Sequence, residues 1–251
     1  MEWLVRFGNY FYKIIKELPY TTGVIVESAC ISFVLAFPIL FIRIHRVPVL
    51  SRVFEVLLSF IRSMPGILEL FLIYFGLPRL LGAVGIRTEG ISGRSYVIMA
   101  MVFHYSLFLS EVLRPAYLSL DKGQSDAADA VGLNGFQKNL RILLPQTLQI
   151  AIPQLGNCLT DLVKDTSLLF TIGIIDLMGK AKLLLSGNYG RNKLEVYMAV
   201  AVCYWFLCGL SVLLTKAAER HFDHAVKVTV KKPAKKEVES NGFQRVERSG
   251  A

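Results

Sequence analysis

Residues 196–215 run for 20 positions without an Asp, Glu, Lys or Arg, and residues 21–42 run for 22 with Glu27 as their single charge. A helix of ~20 predominantly apolar residues crosses the hydrocarbon core of a bilayer, so both runs are long enough to span it. Inside that solvent every backbone N–H and C=O has to be bonded within the protein. An apolar run meets this demand by itself as an α-helix, and the predicted class is an all-α membrane protein. Residues 96–113 form a third span, with Glu111 near its end. Residues 52–81 are interrupted by Arg62, Pro65 and Glu69, which predicts one tilted or broken span. Residues 147–175 carry Asn157, Asp161, Lys164 and Asp165, and they span only if those side chains face protein or water. The expectation is five transmembrane helices. A six-helix alternative makes residues 166–185 a separate span, but it puts Asp176, Lys180 and Lys182 in or near lipid.

The composition fits this class. Of 251 residues, 53% are hydrophobic and 19% charged, with a mean hydropathy of +0.48; soluble chains carry roughly 25% charged residues. The net charge of +9 divides into +4 for residues 216–251 and +5 for the remainder. With five spans and the C-terminus inside, the inner segments hold 16 Lys/Arg and the outer segments 10. That is the positive-inside bias of a membrane protein, and it removes the need for a nucleic-acid partner. Residues 1–20 have no basic stretch leading into an apolar core and a small-residue cleavage site, so no cleaved signal peptide is expected. The predicted organisation is an extracytoplasmic or interfacial segment at 1–20, a transmembrane domain at 21–216 and a basic cytosolic tail at 217–251. The tail carries Lys231, Lys232, Lys235 and Lys236 around Pro233 and reads as a disordered, solvated extension.

Enzyme chemistry finds little support. Cys30, Cys158, Cys203 and Cys208 lie in apolar segments without Cys-x-x-Cys spacing and read as small packing residues. The run from Gly173 to Lys180 imitates a phosphate-binding loop, yet five residues separate its glycines and Ala181 stands where a Ser or Thr would hold magnesium. His45, His104, His221 and His224 form no ligand set. His104, inside a span, is either a hydrogen-bonded packing residue or a ligand contact, and pairing it with Ser106 or Ser110 makes a poor catalytic candidate. Neither a cofactor nor a metal is expected.

Residues 114–146 are too polar to cross lipid and too patterned for a linker. Ser125, Asp126, Ala127, Ala128 and Asp129 offer a helix start with acids in its first turn. Gly132 and Gly135 then turn the chain. Phe136, Leu140, Leu143 and Leu144 follow at helical spacing, with Lys138 and Arg141 polar, in a stretch that ends at Pro145. A short helix-turn-helix of this kind suits insertion into a partner's groove.

The order Asp126-Ala127-Ala128, three residues, Gly132, nine residues, Ile142, one residue, Leu144-Pro145 resembles the coupling motif of bacterial ABC-importer permeases, which begins Glu-Ala-Ala and ends Ile-x-Leu-Pro. Asp126 replaces the Glu, keeping charge with shorter reach. Phe60-Ile61-Arg62-Ser63-Met64-Pro65, Phe71 to Pro78, Ser110-Glu111-Val112 with Arg114, Lys122-Gly123-Gln124 and Lys164-Asp165-Thr166-Ser167-Leu168 extend the likeness over residues 18–216. They narrow it to permeases of the histidine, glutamine and cystine uptake type. The resemblance implies the type I importer permease fold in the bacterial cytoplasmic membrane. It also implies a homo- or heterodimer of permease subunits, an ABC ATPase dimer docked on the cytosolic loops, an extracytoplasmic solute-binding protein and alternating access. A secondary transporter or channel for a small polar solute is the alternative; it gives no reason for the ordered loop.

Charges at membrane depth are functional candidates by default. A zwitterionic amino acid needs an anion site, for which Arg62 and Lys164 are candidates, and ammonium acceptors, for which Glu69, Asp161, Asp165 and the Thr160 and Thr166 hydroxyls are candidates. Ser63, His104 and Asn157 complete the predicted substrate set. A salt bridge within one helix, Asp161 with Lys164, is the plain alternative. Glu27 and Glu111 read as structural. In relatives carrying cationic amino acids an acid tends to follow the Asn of this segment; here Cys158 follows Asn157, which points to a neutral or larger polar substrate. Residues 171–181, TIGIIDLMGKA, resemble the L-cystine branch.

Overall fold

The computed structural model describes residues 2–227, and among them the regular structure is helical throughout. In chain order the elements are α1 (Glu2–Ile15), α2 (Leu18–Ile44), α3 (Leu50–Ser63), α4 (Gly66–Ala83), α5 (Gly93–Leu118), α6 (Lys122–Ala130), α7 (Gly135–Lys138), α8 (Leu144–Asp165), α9 (Leu177–Gly187) and α10 (Lys193–Lys227). Four are long and apolar enough to cross a membrane: α2, α4, α5 and the Lys193–Phe222 part of α10. The fifth long helix in the bundle is α8, whose 22 residues reach roughly 33 Å. Its polar positions are what set it apart from the other four. Lys231, Lys232, Lys235 and Lys236 of the expected tail lie outside the described residues, whereas α10 continues past residue 216 to Lys227.

The bundle is organised around α5. One long core joins Val97, Ala100, Met101 and Tyr105 of α5 to Val24 and Ile25 of α2, Leu162 and Val163 of α8 and Val196 to Leu207 of α10. A second joins Leu109, Leu113 and Ala116 to Ala36, Leu40, Ala151 and Cys158. The face that α2 buries includes a row of small side chains, Thr21, Ser28, Ser32 and Ala36, beside Val24, Ile25, Ile39 and Leu40. Apolar burial gives little drive between helices in lipid, so small residues that let backbones approach take over the task. Gly156 does the same between α8 and α10: a Cβ there would stand 2.2 Å from Thr215 Cγ2.

Prolines account for the largest departures from the sequence expectations. Pro145 does not end the second loop helix. A π-turn at Asn139–Leu143 precedes it, and the chain runs without interruption from α7 into α8. Another π-turn, Leu72–Gly76, precedes Pro78 inside α4. A proline lacks an N–H and presses its ring on the carbonyl four residues back; one extra residue in the turn accommodates both defects without breaking the helix. At Met64–Pro65 no such turn forms. Met64 is extended (φ −120°, ψ 152°), so residues 52–81 form two helices.

The expected continuation of the α8 span to residue 175 stops at Asp165. Thr166–Ile172 is a 3-10 turn closed by left-handed Gly173, and α9 has only 11 residues. These elements are too short for the six-helix alternative. Asp176 caps α9, accepting a hydrogen bond from Gly179 N at 2.7 Å and one from Tyr204 Oη at 3.2 Å. Burial pushes its carboxyl above the usual carboxylate range. The first loop helix begins at Lys122, not Ser125, because Asp121 accepts the capping bond from Gly123 N at 2.9 Å.

Gly156→Ala forces α8 and α10 apart and lowers unfolding stability by about 1–3 kcal/mol, read by thermal unfolding in detergent. Thr215→Ala in the same chain, which removes the two nearest contacting atoms, restores part of the loss.

Candidate functional site

The helix break at Pro65 starts α4 at membrane depth and puts Glu69 in its first turn, facing α5. Glu69 is 4% exposed, and its Oε2 lies 2.7 Å from His104 Nδ1. Its other oxygen, Oε1, is buried and has no hydrogen-bond partner among the described residues. One residue further along α5, the Tyr105 hydroxyl donates to Asp165 Oδ2 at 2.6 Å, which ties α5 to the end of α8. Asp161 and Lys164, one turn apart on α8, are paired at 3.1 Å and remain more than half exposed. His104, Tyr105, Phe108, Asp161, Lys164 and Asp165 line an open cleft of 270 Å³. Behind it a narrow pocket of 20 Å³ reaches Glu69 past His104, Tyr105 and Asp165.

The structure thus gathers five of the predicted substrate residues: Glu69, His104, Asp161, Lys164 and Asp165. It separates five others from them. Thr160 Oγ1 donates to Gly156 O at 3.0 Å and lies 2.8 Å from Ser211 Oγ of α10, outside the cleft lining. Thr166 is fully buried, donates to Val163 O at 2.7 Å and faces Tyr204 on α10. Asn157 is exposed one turn before Asp161, outside the cleft lining, with Nδ2 donating to Gln154 Oε1. Arg62 and Ser63 line another cleft, of 400 Å³, with Glu55, Leu58 and Ser59. There Arg62 Nη1 lies 3.6 Å from Glu111 Oε1, and Ser63 Oγ donates to Ser59 O. Glu27 is paired with Arg94.

Two cleft residues escaped the sequence reading. Tyr105 and Phe108 sit in an apolar run where aromatic side chains are the ordinary filling, and only their spacing from His104 marks them. The cleft and the pocket behind it are rich in acceptors: together they hold three carboxylates, one ammonium and one imidazole. They can receive a cationic group among Glu69, Asp161 and Asp165 while Lys164 and His104 offer donors to an anion. Charged groups held in this way at membrane depth line paths for polar solutes rather than lipid.

The predicted loop residues lie together at the other end of the bundle. Asp126 and Ala127 are exposed on α6, and Ala128 is buried. Gly132 turns the chain with φ +79°. Asn134 and Gln137 form a reciprocal cap on α7. Lys138 reaches back to Asp129 at 2.8 Å and to Ser125 Oγ at 3.0 Å, which fixes the two short helices against each other. Ile142 and Leu144 are half-buried and Pro145 is exposed. Val131, Phe136 and Leu140 are left exposed on this loop.

Residues 28–224 match the family profile described as binding-protein-dependent transport system inner membrane component. The L-cystine transport system permease protein TcyL of Bacillus subtilis (strain 168) is 32% identical over 85% of this chain and 88% of its own. The probable amino-acid ABC transporter permease protein PatM of Vibrio harveyi is 32% identical over 83% of this chain and 91% of its own. Among solved structures, an amino acid ABC transporter crystallised with histidines superposes with a TM-score of 0.70 at 23% identity, covering 87% of this chain and 96% of that one. That likeness concerns the fold.

Tyr105→Phe leaves Asp165 Oδ2 without its donor and lowers unfolding stability by about 1 kcal/mol. Tyr105→Leu, which also loses the ring contact with His104, lowers it further in the same thermal assay.

Proposed function

The chain belongs to the binding-protein-dependent transport system inner membrane components, and on that premise we propose that this permease subunit moves a polar amino acid, with L-cystine as the favoured cargo. The observation that carries the amino-acid reading is the cleft between α5 and α8, lined by Asp161, Lys164 and Asp165 of α8 and His104 of α5, with Glu69 behind His104 in the adjoining narrow pocket. A free α-amino acid presents an ammonium and a carboxylate on one carbon, and it needs acceptors and donors a few ångströms apart. L-cystine is supported by the 32% identity to TcyL and by the run at residues 171–181.

Transport runs by alternating access. A solute-binding protein delivers substrate to the extracytoplasmic side, and a second permease subunit completes the path. An ATPase pair grips the loop carrying Asp126, Ala127, Ala128, Gly132, Ile142, Leu144 and Pro145. The C-terminus lies in the cytosol, as the excess of Lys and Arg on that side favours. Exposed Val131, Phe136 and Leu140 give the ATPase an apolar anchor. Nucleotide-driven closure of the ATPases moves this loop, and α7, continuous with α8, carries the displacement to Asp161, Lys164 and Asp165.

ATP-driven uptake in proteoliposomes containing the complete transporter tests the cargo, with L-cystine preferred over L-arginine as the expected result. The excess of carboxylates in the cleft makes arginine the sharpest competitor, and preference for it would sink the cystine assignment. Glu69→Gln and Asp165→Asn are expected to raise KM for uptake about tenfold, an interaction loss of about 1.4 kcal/mol, while Asn157→Ala stays within about twofold.

Gly132→Asp tests the coupling assignment. A side chain at φ +79° meets open space but carries a backbone penalty of about 1–2 kcal/mol. The expected variant inserts normally and hydrolyses ATP with its partner but takes up substrate poorly; normal uptake contradicts the coupling role.

A further inference from the structure

The second cleft has its own logic. Helix α3 is attached along one face, where Leu58 and Ile61 pack with Ile39 of α2 and Leu107 of α5. Its other face exposes Val53, Val56 and Phe60. The extended residues Met64 and Pro65 interrupt the hydrogen-bond ladder between α3 and α4, so the two helices are free to change their mutual angle there. What holds the Arg62 end of α3 against the bundle, besides that small apolar contact, is Glu111.

Glu111 serves two arginines unequally. Arg43, at the end of α2, is 6% exposed; its Nη1 donates to Ser110 Oγ at 3.1 Å and its Nη2 lies 2.5 Å from Glu111 Oε2. Arg62 is 60% exposed, and its Nη1 stands 3.6 Å from Glu111 Oε1, beyond hydrogen-bond length. Removing the partner of a buried charge is strongly unfavourable, whereas an exposed charge is readily rehydrated. The Arg43 pair is therefore fixed and the Arg62 pair exchangeable. Because Arg43 stays paired with Glu111 and holds it in place, α3 can leave and return without depriving the buried arginine of its partner. Along α5, Glu111 lies seven residues beyond His104, about 10 Å towards the end that leads into the loop.

We propose that Glu111 is a positioning residue of the transport cycle, which tethers the Arg62 end of α3 to α5 and releases it as α3 swings about Met64–Pro65. The proposal rests on the transport reading above. In place of a substrate-binding role it gives Arg62 a conformational one, on the loop side of the substrate cleft.

Full-length permease assembled with its ATPase and binding protein in proteoliposomes provides the test, with L-cystine and L-arginine as probes. Arg62→Gln is expected to lower the maximal uptake rate about fivefold, to leave KM within about twofold and to raise substrate-independent ATP hydrolysis; Glu111→Gln, which also takes the partner of buried Arg43, is expected to do the same and to lower the rate further. Their combination is expected to be no worse than Glu111→Gln alone, and Arg62→Lys to retain most of the activity. A KM raised about tenfold in Arg62→Gln but unaltered in Glu111→Gln would make Arg62 a substrate ligand and overturn the tether. Additive losses, or unaltered uptake in both variants, would also overturn it.

A second measurement does not depend on transport. With the four native cysteines replaced by alanine, Leu58→Cys, on the buried face of α3, is expected to react with a maleimide about threefold faster once Glu111→Gln or Arg62→Gln is added. Equal labelling rates refute the tether. Absent uptake in the unaltered complex, with faster labelling in the variants, refutes the transport reading and leaves the tether standing.

Discussion

A charge inside an apolar solvent has to find its counter-charge within the protein, and the arrangement of this bundle follows from how that demand is met. Glu27 meets Arg94, Arg43 and Arg62 meet Glu111, Glu69 meets His104, and Asp161 meets Lys164. Three of these groups, Arg94, His104 and Glu111, belong to α5, and Tyr105 adds a fourth polar contact from the same helix. Through them α5 is joined to α2 near both ends, to α3, to α4 and to α8. Apolar packing gives the helices a common centre, while these polar contacts fix their depth and rotation relative to one another. A helix sliding by one turn would separate several pairs at once.

The same contacts differ in how much solvent they admit, and that difference divides the molecule into fixed and adjustable parts. Arg43 and Glu69 are buried, so their partners are obligatory. Asp161, Lys164 and Arg62 are more than half exposed and lie in open clefts, where a solute or a moving helix can take a partner's place. The fixed pairs lie on the scaffold of α2, α4 and α5, and the adjustable ones on α8 and α3. α8 also has a covalent, helical connection to the loop at the far end of the bundle, so displacement of the loop and rearrangement of the cleft involve one rod.

Much of the fold was legible because the governing signal is local. Apolar runs announced α2 and α5 within a few residues of their ends and α10 at its start, since nothing except a helix satisfies such a run, but α10 continues beyond its run to Lys227. Prolines were harder to read. Pro65 is expected to tilt or break a span and Pro145 to end a helix, yet only at Pro65 is the helix interrupted; whether a π-turn absorbs the defect depends on tertiary packing that no single sequence window contains. The site was legible in kind but not in detail. Intramembrane charge singled out Glu69, Asp161, Lys164 and Asp165, because that signal is chemical and does not require knowing which face is which. Thr166, adjacent to Asp165, turned out to face Tyr204 because the chain tightens to a 3-10 turn there. Arg43 follows directly on the apolar run at 21–42, and its burial by neighbouring helices is invisible in a linear count.

The π-turn before Pro145 carries a further consequence for how such a chain can vary. One surplus residue advances the helix by about 100° of rotation, so it sets the phase between the apolar edge of α7 and the polar stripe of α8. Length in this segment is consequently quantised: loss of a single residue from 139–143 would leave both surfaces chemically intact but aimed in directions that no longer correspond. Substitutions can accumulate there one at a time, whereas insertions and deletions have to arrive in sets that restore the phase.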